Sequence, residues 1–60
     1  MEATKIHEFA RELKEAHGDK AIQEAAQKAS AFERQGDAEQ AELWRKVEKA
    51  LREMAGPHAS

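Results

Sequence analysis

The stretch ERQGDAEQAELW, Glu33 to Trp44, decides how this chain folds. Glycine followed by aspartate marks a corner. Glycine accepts the left-handed backbone conformation that closes a helix. Aspartate then offers its carboxylate to the free amides that open the next one. Gln40, three residues after Asp37, makes a variant capping box with Asp in place of Ser or Thr. The stretch predicts a helix ending at Gln35, a tight reversal, and a new helix from Ala38. Trp44, the only tryptophan, follows soon after the corner. Large and apolar, it is expected to fill space that small residues leave open, lying over Ala29 and Phe32.

The same device stands 18 residues earlier, at Gly18-Asp19. The third glycine, Gly56, precedes Pro57, a stop signal. These marks divide the chain into helices over 4–16, 20–35 and 38–55, with Thr4 as the first cap. Residues 57–60 are expected to fray. The fold predicted is all-α: a three-helix up-down-up bundle in one domain, 1–56.

Apolar spacing agrees. Ile6, Phe9, Leu13 and Ala16 recur at helical intervals, as do Ile22, Ala25 or Ala26, Ala29 and Phe32. Ala41, Trp44, Val47, Leu51 and Met54 form the third stripe, widened by Leu43 and Ala50. The middle helix is rich in alanine, which favours helix and lets neighbours approach closely. Glu24–Lys28, Glu42–Lys46 and Glu48–Arg52 are spaced as i,i+4 pairs, acid first, on exposed faces.

Composition narrows the function. Sixty residues bury a smaller fraction of their surface than a larger domain does. No cysteine means no disulfide, no thiolate metal site and no thiol nucleophile. Charged residues make up 37% of the chain and mean hydropathy is −0.93, so no run approaches a membrane span. Residues 1–17 lack the apolar run of a signal peptide, and the cytoplasm is the expected location. The 12 acidic and 10 basic residues alternate without forming blocks, and aromatics are 5%. That disfavours nucleic acid, which needs concentrated positive charge or stacking platforms.

The pattern of Ala29, Phe32, Gly36 and Ala41 resembles one hairpin of the tetratricopeptide type, but Arg45, Glu48 and Glu53 stand where that repeat has aromatic, small and proline residues. HGDKA (His17 to Ala21), GDAEQA (Gly36 to Ala41) and Trp44 together resemble short helical proteins of alphaproteobacteria that carry an HGDxA…GD…W pattern. That resemblance implies a compact helical bacterial protein. It implies no activity and carries over no catalytic, ligand or cofactor residues.

Few residues suggest chemistry. His-x-x-x-His and Glu-x-x-His are both absent, although a metal site needs ligands converging from one face or from adjacent helices. His17 at a helix C-terminus is explained by the negative end of the dipole. His7 lies on the first helix and His58 in the tail. Glu8, Glu12 and Glu15 read as a solvated face, because acid-base work needs a desolvated pocket. Hydroxyls are limited to Thr4, Ser30 and Ser60, and the glycines are isolated, with no phosphate loop.

Arg45, Lys49 and Arg52 recur along the third helix and suit an anionic patch on a partner, but Glu42, Glu48 and Glu53 interleave with them and favour a solvated, salt-bridged face. Together with Leu43 and Trp44 they are the candidate interaction surface. The expected function is a cytoplasmic protein-interaction or regulatory adaptor without catalytic activity, metal or cofactor. A small metal-binding protein or enzyme accessory subunit using His7, His17 and glutamates is the alternative. A nucleic-acid-binding regulator reading with the third helix ranks behind both. A core this small commonly needs added stability, so a homodimer is expected, through Leu43 or Trp44 or the first helix.

Overall fold

The computed structural model describes residues 3–55, with side chains described from Lys5 to Met54. Three helices pack against one another: α1 (Ala3–His17), α2 (Lys20–Gln35) and α3 (Ala38–Ala55). The chain is an all-α three-helix bundle, with no strand among the described residues. The second helix starts and stops, and the third starts, where the corners predict. The first opens at Ala3, so Thr4 lies inside its first turn and is not its cap. Gly56, Pro57 and the tail lie outside the described residues.

Both corner glycines have the left-handed backbone expected, with φ of 63° at Gly18 and 84° at Gly36. At the second corner the Gly36 N–H donates to the Glu33 carbonyl (3.1 Å) and the Asp37 N–H to the Phe32 carbonyl (2.9 Å). This double closure satisfies two carbonyls that the helix end would leave bare. The Asp37 carboxylate accepts from the Gln40 amide at 3.2 Å, and its carbonyl accepts from the Ala41 amide at 3.0 Å. Half of the predicted capping box therefore forms. Its other half needs the Asp37 N–H, which the Phe32 carbonyl already holds.

The first corner is closed by one bond, from the Gly18 N–H to the Lys14 carbonyl (2.7 Å). Asp19 has helical angles, φ −64° and ψ −21°, and its side chain makes no cap bond. A capping side chain reaches forward from an extended backbone. The expected cap at Asp19 is thus absent, and the Ala21 amide turns back to the Gly18 carbonyl at 3.1 Å instead.

The core is thin. Six of the nine buried apolar residues described are alanines: Ala10, Ala21, Ala25, Ala29, Ala41 and Ala50. Of the larger side chains described, Val47 and Leu51 are fully inside and Ile6 nearly so. Burying a Leu-sized side chain contributes about 1.5–3 kcal/mol, and a methyl group well under half of that. Phe9, Leu13, Ile22, Leu43, Trp44 and Met54 pack around this centre half-buried.

One expectation about the core is corrected. Ala16 is exposed and Ala10 is buried in its place. At about 100° per residue Ala16 falls roughly 80° round α1 from Ile6, on the far side from Ala10. The ring of Trp44, expected over Ala29 and Phe32, meets Phe9 of α1 edge-on, centroids 5.4 Å apart and planes at 67°.

Candidate interaction surface

Neighbouring residues on a helix point about 100° apart, so Leu43 and Trp44 leave α3 in different directions, while Arg45, Lys49 and Arg52 fall within roughly 60° of one another. Arg45 and Arg52 turn toward carboxylates of the chain's own. Arg45 donates from Nη2 to Glu33 Oε1 at 3.1 Å and from Nε to Glu33 Oε2 at 3.3 Å, joining α3 to the end of α2. Its Nη1 donates to Glu48 Oε1 at 3.5 Å, and Arg52 Nη2 donates to Glu48 Oε2 at 2.7 Å. Glu48 is only 9% exposed, and a carboxylate so buried needs such partners. Among the described residues no buried side-chain nitrogen or oxygen lacks a hydrogen-bond partner. These two arginines therefore form a latch within the bundle. The pairing with Glu48 follows the salt-bridged reading of this face, with Glu48 three residues from Arg45 and four from Arg52, whereas the reach of Glu33 across the corner was not expected.

Trp44 opens onto a cleft of about 540 Å³ between α1, α2 and α3, walled also by Leu13, Glu24, Lys28 and Ala31. Its polar groups face one another. Lys28 Nζ stands 6.0 Å from the indole centroid, at the outer reach of a cation–π contact. His17 Nδ1 lies 3.3 Å from Glu24 Oε2, so His17 bridges the first corner as well as ending α1. The expected Glu24–Lys28 pair does not form within 4 Å, because Glu24 turns to His17.

Leu43 and Lys49 lie on the other side, along the groove between α1 and α3. Leu43 shares one hollow with Ile6, Glu39, Glu42 and Lys46. The next hollow along holds Ile6, His7, Lys46, Lys49, Ala50 and Glu53. The floor is apolar, formed by Ile6, Leu43 and Ala50, and the rim is charged. Glu42 and Lys46, four residues apart, make no ion pair within 4 Å. Elsewhere, Lys14 Nζ donates to the Met54 carbonyl at 3.2 Å, tying α1 to α3.

Among the described residues no three His, Asp or Glu side chains converge as a metal site would require. His7 lines the groove, His17 pairs with Glu24, and His58 lies outside the described residues. None of the helices described is long and apolar enough to cross a membrane. Comparison of the sequence with family models, with curated proteins and with solved structures gives no match in any of the three.

Proposed function

We propose that this chain is a small protein-interaction module of the cytoplasm, working by the helix surface it presents and not by catalysis. The observation that carries this is the inversion of its core. Alanines fill the centre, while Phe9, Leu13, Leu43, Trp44 and Met54 stand half-buried at the edge. A chain that keeps its largest apolar side chains at the rim retains hydrophobic free energy that a partner can recover by covering them. The abundant charge and the missing cysteine suit a reducing compartment. The groove bearing Leu43 is the surface offered, since Trp44 already packs on Phe9 and lies near Lys28 within the bundle.

Affinity capture with the purified chain and with Leu43→Lys tests this. The wild type is expected to bind a protein, itself included, that Leu43→Lys binds at least about tenfold more weakly, with helicity unchanged. A chain that binds no protein, or a variant that binds equally well, overturns the proposal.

A further inference from the structure

The outward ridge of α3 carries Glu39, Glu42, Lys46, Lys49 and Glu53. All five are exposed, at intervals of three, four, three and four residues. That spacing keeps all five on one face of the helix. None of the five has an ion-pair partner within 4 Å among the described residues, whereas Glu33, Arg45, Glu48 and Arg52 all do. The bundle satisfies the charges on one flank of α3 and leaves this ridge unpaired.

We infer that the ridge docks against the same ridge of a second copy, antiparallel, about a two-fold axis at the level of Trp44. This rests on reading the chain as a protein-interaction module, and it names the partner. The support is the order of the charges. From Glu39 to Lys49 it runs minus, minus, plus, plus. Reversed on itself about residue 44, it sets Glu39 opposite Lys49 and Glu42 opposite Lys46. A two-fold interface uses one patch twice, so each match occurs twice. A parallel pairing sets glutamate on glutamate and lysine on lysine, so the sequence of signs selects the antiparallel one.

The apolar part adjoins the axis. Leu43 lies one residue from it, and Leu43, Ile6 and Ala50 floor the groove beside the ridge. Contact with a second copy covers Leu43, which the monomer leaves half-exposed. From Glu39 to Glu53 the ridge runs about 21 Å at 1.5 Å per residue, which covers less than the roughly 800 Å² per partner of a standard interface. Exposed ion pairs are individually weak and screened by salt. The dimer is accordingly a weak, salt-sensitive one.

Sedimentation equilibrium of the full chain at low and high salt tests the pairing. The wild type is expected to dimerise at low salt and to lose about tenfold in association constant at high salt. Lys46→Glu/Lys49→Glu and Glu39→Lys/Glu42→Lys are each expected to be monomeric alone and to associate when mixed, with circular dichroism confirming that each folds. The native chain has no cysteine, so introduced ones report orientation. Glu42→Cys mixed with Lys46→Cys is expected to form the crossed disulfide in preference to either symmetric one. A monomeric wild type, a dimer indifferent to the charge swaps, a mixture that stays monomeric, or a dominant symmetric disulfide overturns the inference. If the wild type is monomeric yet captures another protein through Leu43, the pairing fails and the module stands. If it binds neither itself nor another protein, both fail.

Discussion

The corners at Gly36 and Gly18 are written with one dipeptide and built to different strengths. At Gly36 two backbone bonds close the outgoing helix, and the Asp37 carboxylate caps the incoming one. At Gly18 a single bond closes the helix and Asp19 caps nothing. The side-chain bridges beside them differ too. Arg45 grips Glu33 through two nitrogens across the second corner, while His17 meets Glu24 at one contact across the first. Packing follows the same order, with α2 and α3 sharing the most extensive contact and α1 leaning mainly on α3. The lesson is that a dipeptide licenses a turn, while the dihedral angles of its second residue decide whether the turn is capped. The second corner joins a firm hairpin, and the first ties α1 to it.

The glycines give the sharpest way to break this comparison. A Cβ at either position meets nothing within 4 Å, so the penalty for alanine is backbone strain alone. Gly18 sits near the left-handed minimum that L-residues tolerate, and Gly36 lies beyond it. Gly36→Ala is expected to cost about 2 kcal/mol and Gly18→Ala about 1 kcal/mol in urea unfolding. Equal losses, or a larger one at Gly18, would remove the distinction.

The aspartates come next. Asp37→Ala is expected to lose about 1 kcal/mol with its cap, and Asp19→Ala no more than about 0.3 kcal/mol. Thermal melts of the two variants side by side check this. If Asp19 proves as important as Asp37, its carboxylate caps α2 in solution after all.

The bridges have the smallest effects, because their side chains are about half exposed. Arg45→Ala is expected to destabilise by under about 1 kcal/mol, more than Glu24→Gln at a few tenths of that, since Arg45 also serves the buried Glu48. Both differences should shrink as salt is added. A Glu24→Gln loss matching that of Arg45→Ala would make the first bridge the equal of the second.

Much of the fold was legible because helix ends are local events. Gly36, Asp37 and Gln40 settle their turn among themselves, and the boundaries of α2 and α3 follow. Periodicity placed Ile6, Val47 and Leu51 inside for the same reason. The interaction surface was less legible. Leu43 and Trp44 are adjacent in sequence but open onto different hollows. Arg45, Lys49 and Arg52 share a spacing but not a fate: Arg52 takes the Glu48 that its spacing offers, while Glu33 reaches Arg45 only once α2 has folded back. The unpaired state of Glu42 and Lys46 was hidden by a spacing that favours their pairing.

By itself the sequence determined where the chain turns, which lengths are helical and which stripes are apolar, since each depends on residues within about one helical turn of each other. Only the tertiary structure decided that Phe9 receives Trp44, that Glu33 of α2 reaches Arg45 and that the ridge from Glu39 to Glu53 has no ion-pair partner among the described residues. Those outcomes depend on where three helix axes lie relative to one another, and no spacing along a single helix encodes that.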